Sequence, residues 1–385
     1  MPLNETLSDY WRTIQGQLFP WLEEELGPLG EKHKQLVTVL ELARVEDFLH
    51  HWRGVVGRPL EDRAALARSF VAKATFNIPM TTMLIERLLV DKTLRRLCGW
   101  ERLGEVPSES TFSRAFAEFA ESALPSRLHE ALIKRTHADR LVGHISRDST
   151  AIEAREKPQL VAGTFRLRVA APEEQKPKRG RPRKGEERPQ AMRRLERQPD
   201  MSLREMLADL PRHCAIGAKR DAKGFKTSWT GYKLHLDVAD GGVPVSCLLT
   251  SASLHDSQAA IPLATMTAAR TINLYDLMDS AYDAPEIRDY GRSLGHVVII
   301  DVNPRCVPGL KQELADEARR QKRAGYKLAE DVRYNERSTV ERVNGRLKDD
   351  FGGRTVRVRG HDKVMCHLMF GILTLSVDAL MRMVT

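Results

Sequence analysis

From the first residue to about 137, apolar side chains recur at helical spacing and few stretches alternate, while Pro79, Pro107 and Pro125 punctuate the run. This predicts an all-α N-terminal domain. Within it, Pro107-Ser108-Glu109-Ser110 offers a helix start, and Phe112, Phe116 and Phe119 follow at helical spacing, which places them on one core-facing side. Beyond about 138 the pattern changes. Leu141 to Ile152 reads as a strand, and Gly231 to Asp240 alternates Tyr232, Leu234, Leu236 and Val238 on one side with period two. Asp240-Gly241-Gly242 then predicts a tight turn into a second strand, Val243 to Ser251. A helix from about Asp256 to Ala269, a strand from Asn273 to Met278, a helix after Pro285, a strand from His296 to Val302 and final helices complete the chain. This order predicts a mixed α/β sheet with flanking helices over 138–385, interrupted after its first strand by an insertion at about 155–215.

The segment after the last predicted strand carries an unusual polar face. Between Tyr334 and Lys348 the chain reads YNERSTVERVNGRLK. As a helix at about 100° per residue, Tyr334, Arg337, Glu341 and Lys348 fall within an arc of about 60°, and Val340, Val343, Leu347 and Phe351 gather on another side that can dock on a core. A carboxylate, two cations and a phenol then share one face. Alone, Arg337 and Glu341 would make an ordinary i,i+4 ion pair worth a few tenths of a kcal/mol. The order Y-x2-R-x3-E-x6-K, however, resembles the Y-R-E-K signature of the DDE-type insertion-sequence transposases, whose catalytic domains have the ribonuclease-H-like fold.

The resemblance extends to acidic residues upstream. Two-metal phosphoryl chemistry needs carboxylates gathered from distant parts of a rigid sheet, so that two divalent cations are held with coordination sites left for water and phosphate. Asp148 lies in the first predicted strand and Asp279 ends the strand Leu274 to Met278, where the family places its first and second aspartates; Glu341 would be the third. A lone strand-end aspartate is usually a turn or cap residue, and Asp276 and Asp283 lie close enough to stand in for Asp279. Their joint order with the Y-R-E-K row selects the triad. Carried over, the resemblance implies cleavage of transposon ends and strand transfer into target DNA, with Asp148, Asp279 and Glu341 catalytic and holding two Mg²⁺ ions, for which Mn²⁺ can substitute. Tyr334, Arg337 and Lys348 would grip DNA phosphates. The 62 residues from Asp279 to Glu341 leave no room for the large β-rich insertion that some members carry there.

Charge sharpens the expectation of a nucleic-acid partner. The formal net charge is +9, yet Lys176 to Arg197 holds ten basic and three acidic residues, so most of the excess sits in one segment. There Arg179, Arg181 and Arg183 flank Gly180 and Pro182 in a sequence resembling an AT-hook, which suits a narrow minor groove; a flexible basic linker touching phosphates is the alternative. Lys219, Arg220, Lys226 and Lys233 flank Trp229 and resemble the stretch before the hairpin in related transposases, with Trp229 either stacking on an unpaired base or filling the sheet. His255 and Asp256 also recur in the family and are candidates for the periphery of the site, the alternative being that Asp256 is an N-cap and His255 a loop residue. Leu84 to Trp100 and the helix after it resemble the family's helical end-binding region.

Five cysteines without a CxxC pair fit reduced thiols rather than a disulfide framework. The opening MPLNETLSDYWRTIQ is not expected to act as a secretory leader, and the apolar run Val364 to Val377 is too short to span a bilayer. The resemblance implies a bacterial cytoplasmic protein, nucleoid-associated when bound to DNA, a homodimer when two ends are paired, and inverted-repeat ends and target duplex as partners. Two other readings remain at this point: a ribonuclease-H-like nuclease without strand transfer, and a domesticated or inactive DNA-binding protein.

Overall fold

The computed structural model describes residues 3–49, 61–159, 192–220, 224–304 and 309–384. Eight helices come first: α1 (Leu3–Thr13), α2 (Phe19–Leu26), α3 (Glu31–Ala43), α4 (Arg63–Thr75), α5 (Thr81–Val90), α6 (Lys92–Leu97), α7 (Glu109–Glu121) and α8 (Leu124–His137). The predicted aromatic stripe is core. Phe112, Phe116 and Phe119 are all buried, and each packs its ring within 6.2 Å of Phe70 on α4.

The sheet follows. Strands β1 (Leu141–Glu153), β2 (Ala215–Arg220), β3 (Lys226–Ala239), β4 (Val243–Ser251), β5 (Ile272–Met278) and β6 (Val297–Ile300) form one mixed sheet. β1 runs antiparallel to β3 and parallel to β5, and β6 runs parallel to β5. The first strand, the hairpin and the two later strands all stand where their periodicity predicted them. Gly241 and Gly242 take φ of 79° and 78°, a left-handed conformation that glycine adopts without Cβ strain and that closes the β3–β4 turn. Tyr232, Leu234, Leu236 and Val238 are buried as expected, but so are His235 and Asp237 on the other face. That face is covered because helix α11 (Ala260–Ala268) packs on β3 and β4.

The insertion is only partly as predicted. Residues 160–191, which include Arg179, Arg181 and Arg183, lie outside the described residues. Residues 193–214 do not form a flexible linker: they form α9 (Arg194–Arg197), α10 (Leu203–Asp209) and the approach to β2, which pairs with the start of β3. A capping box between Ser202 and Glu205 starts α10. Met206, on α10, is buried against Ile261, Met278 and Ile287. The local positive charge is neutralised there too, since Arg194 and Arg197 both pair with Asp209 at 2.7 and 3.2 Å.

Helix α12 (Pro285–Ser293) precedes β6, and α13 (Leu310–Ala324), α14 (Ala329–Tyr334), α15 (Ser338–Asp350) and α16 (His361–Arg382) follow it. The apolar side expected of the Y-R-E-K segment is present: Val340, Val343 and Leu347 on α15 and Phe351 just beyond it are buried. α16 is long and apolar enough to cross a membrane by composition, yet 83% of its apolar window is buried inside the fold. Phe370, Leu373, Val377 and Leu380 pack with the N-terminal helices, whereas Leu368, Ile372 and Leu375 pack with β3 and α15. At roughly 1.5–3 kcal/mol per fully buried side chain, this one helix is a large contributor to both cores. Of the cysteines, Cys98, Cys214, Cys247 and Cys366 are buried free thiols.

Candidate active site

The parallel register of β1 and β5 pairs Arg147 with Met278, so the next residue on each strand, Asp148 and Asp279, comes side by side. Asp279 leaves the strand and caps the following turn, accepting the Ala281 N–H at 2.9 Å. The two neighbouring acids are engaged elsewhere. Asp276 is buried, 3.0 Å from His296 Nδ1 and from Asn273 Nδ2, and Asp283 pairs with Arg288 at 2.9 Å and accepts the Asn303 N–H at 2.8 Å. Neither faces Asp148. Burial pushes the Asp148 carboxyl up to about 6; the Ser149 N–H, Lys219 and Arg337 oppose the rise while the charge of Asp279 adds to it. Burial likewise raises Asp279, and nearby Asp256 adds to that rise. Two desolvated carboxylates in mutual repulsion form a hard-oxygen donor pair whose charges lack a full counterweight, which is the chemistry a divalent cation fits.

The polar helix is not continuous. α14 ends at Tyr334, one tight turn spans Asn335–Arg337, and α15 starts at Ser338. Arg337 therefore sits at the joint. Its guanidinium pairs with Glu341 at 2.8 Å, lies 5.6 Å from the Tyr334 ring centroid, and reaches Asp148 and Asp279 electrostatically. The Tyr334 hydroxyl is held protonated by burial and by donating to Asp301. Glu341 has a side chain 54% exposed, and among the described residues no three His, Cys, Asp or Glu side chains are gathered into a metal-holding group. Asp148 and Asp279 are brought together; Glu341 stands on the adjacent helix, paired with Arg337.

Cations flank this group. Lys219 on β2 acts on both aspartates, and Lys348 is depressed by burial and by the neighbouring charges of Arg354 and Lys219. Such like-charge crowding favours an anion between them. Lys226 is exposed at the start of β3. Trp229 is half-buried, donates from Nε1 to the Tyr232 carbonyl at 3.1 Å, and lies so close over Gly217 that a Cβ there would meet the indole at 2.4 Å, so it covers the sheet across the strand pair.

Lys233 corrects an expectation: its ammonium points inward, donating to Asp256 at 2.9 Å and to the Leu254 carbonyl at 2.7 Å, because the loop after β4 folds back over it. It is not a free phosphate contact. Asp256, which burial alone would raise, is brought below the usual carboxylate range by His235 and Lys233 and by hydrogen bonds from Lys233 and Ser149. His255 is exposed, with Nδ1 2.8 Å from Ser257 Oγ.

One residue of the site escaped the sequence reading, and a second entered it only as a charge near Trp229. Asn344, one turn beyond Glu341 on α15, brings Nδ2 to 3.5 Å from Asp148 Oδ2; its spacing from Glu341 was the available signal. Lys219 was visible only as a flanking charge. Behind Asp148, on the opposite face of the sheet, Arg147 donates twice to Asp237 at 2.7 Å in a wholly buried pair, and Thr267 adds a bond at 2.6 Å. Arg147 and Asp237 face each other in the β1–β3 register, so this pair cross-links the strand immediately before Asp148.

Comparison with known families gives two matches. A transposase domain matches residues 22–118, covering most of the N-terminal helices. The transposase DDE domain matches residues 148–377, beginning at Asp148 and reaching into α16. No curated protein and no solved structure matches the chain. With Asp148 in β1 beside Asp279 just past the end of β5, and more than half of its length matched by the transposase DDE domain, this chain belongs to that family.

Proposed function

We propose that the protein cleaves transposon ends and joins them to target DNA, using Asp148, Asp279 and Glu341 as its acidic set. The observation that supports this reading is that Asp148, within β1, and Asp279, just past the end of the neighbouring β5, lie side by side, with Glu341 on the helix packed beside β1. Family members generally use divalent metal ions. Asp148 and Asp279 are the residues that would hold them, joined by Glu341 once it exchanges Arg337 for the cation. Mg²⁺, or Mn²⁺ in its place, would supply activation of a water and neutralisation of charge on the leaving 3′ oxygen.

The chain's own part is positioning. Arg337, released from Glu341, has a planar fork suited to a phosphate oxygen pair. Lys219, whose charge acts on both aspartates, and Lys348 near it would hold the backbone by charge, and Tyr334 lies with its ring under the Arg337 guanidinium. The N-terminal helices would bind the element's inverted repeats, and Arg179, Arg181 and Arg183 would add sequence-tolerant contacts to duplex DNA. Two protomers would pair two ends.

The test is cleavage of a plasmid carrying the inverted repeats that flank the gene. Wild-type protein is expected to nick at the repeat ends only with Mg²⁺ or Mn²⁺, whereas Asp148→Asn and Glu341→Gln should lose at least a hundredfold in rate while still shifting the DNA in a gel. Undiminished cleavage by Glu341→Gln would sink the assignment; cleavage without joined products would reduce it to a nuclease.

A further inference from the structure

Asn344 occupies the centre of the site on the helix side. It is 6% exposed, three positions after Glu341 on α15, and its amide nitrogen lies 3.5 Å from Asp148 Oδ2. Its amide oxygen is buried and has no hydrogen-bond partner among the described residues. A buried carbonyl oxygen left unpaired costs about 1–3 kcal/mol, so such a group in a native fold asks for an occupant. Bonded to the same carbon as the nitrogen, that oxygen belongs to the planar amide that faces Asp148. The surrounding α15 residues Val340, Val343 and Leu347 are apolar and buried and offer it no donor. A hydrated divalent cation offers what is missing, because its bound waters are strong donors and its preferred ligands are oxygens.

We propose that Asn344 is a positioning residue of the carboxylate site: its N–H holds Asp148, and its oxygen accepts from the hydration shell of a divalent cation. This rests on the reading of Asp148 and Asp279 as the cation-holding pair. Such an arrangement explains why a side chain that could have been apolar, on a helix face that is otherwise packed, carries an amide. It also ties α15 to β1 at the level of the acids, so that Glu341 one turn away has a fixed height relative to Asp148. Groups that orient a metal ligand commonly change affinity 10- to 100-fold when removed.

The experiment is Mn²⁺ titration of the full-length protein without DNA, reading free Mn²⁺ by electron paramagnetic resonance. Wild type is expected to bind Mn²⁺, and Asp148→Asn to lose that binding. Asn344→Leu, similar in volume but without polar atoms, should bind at least tenfold more weakly with an unchanged circular dichroism spectrum and melting temperature. Asn344→Asp, which restores an oxygen at the same place, should bind within threefold of wild type. If wild type and Asp148→Asn behave as stated but Asn344→Leu binds like wild type, or Asn344→Asp binds as weakly as Asn344→Leu, the role of Asn344 is overturned while the carboxylate site stands. If wild type itself binds no Mn²⁺, both readings fall together.

Discussion

Acidification from pH 7.5 to 5 should remove about 6–7 kcal/mol of stability, chiefly through buried histidines. His129, His137 and His235 are fully buried, and burial lowers their pKa values to about 3, 4 and 4. Each uses one ring nitrogen inside the fold: His129 Nε2 donates to the Pro244 carbonyl at 2.9 Å, His137 Nδ1 meets Thr136 Oγ1 at 2.9 Å and His235 Nε2 meets Thr250 Oγ1 at 2.9 Å. The other nitrogen of each has no partner, so a second proton would sit on a desolvated, unbonded atom. Above about pH 6.5 these rings are neutral in both states and the folded protein loses nothing. Below it the unfolded chain takes up protons that the folded chain refuses. Each histidine then costs about 1.4 kcal/mol per pH unit until its folded pKa is reached, about 2 kcal/mol each at pH 5. Asp148 works the other way. Its folded pKa is raised to about 6, so it takes up a proton on folding between about 6 and 3.8 and offsets roughly 1.4 kcal/mol of the loss at pH 5. His367, which burial also lowers to about 4, adds about 2 kcal/mol, so the net loss of about 6–7 kcal/mol is a large share of the 5–15 kcal/mol typical of a domain. Urea unfolding followed by circular dichroism at intervals from pH 7.5 to 5 measures it. His129→Gln, whose side-chain amide can still donate to Pro244, should flatten the profile by about a third. An unchanged slope in that variant, or stability independent of pH over this range, would refute the reasoning.

Three further outcomes are expected. Arg147→Met should destabilise by about 3–5 kcal/mol in urea unfolding, because Asp237 is left as an uncompensated buried charge, and Arg147→Met/Asp237→Leu should recover most of it; a double variant no better than the single would contradict this. Lys73 lies in a cavity of about 380 Å³ between α4 and the start of α16, and burial lowers its pKa to about 8. Protonating this amine in the fold is therefore penalised in full below about pH 8 and not at all above 10.5, so Lys73→Met should raise stability at pH 7 by about 1–3 kcal/mol and lose that gain towards pH 10.5. Gly231 has φ of 152°, and a Cβ there would lie 2.1 Å from the Ile152 carbonyl oxygen, so Gly231→Ala should separate β1 from β3 and lower the melting temperature by about 10 °C or more, read by differential scanning calorimetry.

The parts of the fold that periodicity describes were legible: β1, the β3–β4 hairpin, β5 and the buried side of α15 each have apolar residues at the spacing of their element. The parts that depended on tertiary partners were not. His235 and Asp237 alternate with apolar residues and so resemble a solvent face, yet α11 covers them. The break at 335–337 carries neither proline nor glycine to announce it. α10 had a readable start in Ser202 and Glu205, but the arginine-rich sequence before it obscured a folded element. In the site, the positions of Asp148 within β1 and of Asp279 after β5 could be placed because both strands are legible. Lys233 was misjudged because a sequence shows a lysine's charge and not the carboxylate it meets 23 residues later.

α16 has a consequence for how the protein is made. A nascent chain ordinarily closes its N-terminal domain while later segments are still being synthesised. Here α3, α4, α7 and α8 share their interior with α16, so the first eight helices emerge long before the strip that seals them. Until His361–Arg382 arrives, Phe70, Phe116 and Leu128 lack part of their cover. The helical half and the carboxylate half thus mature in a single late event, and a half-made chain has neither.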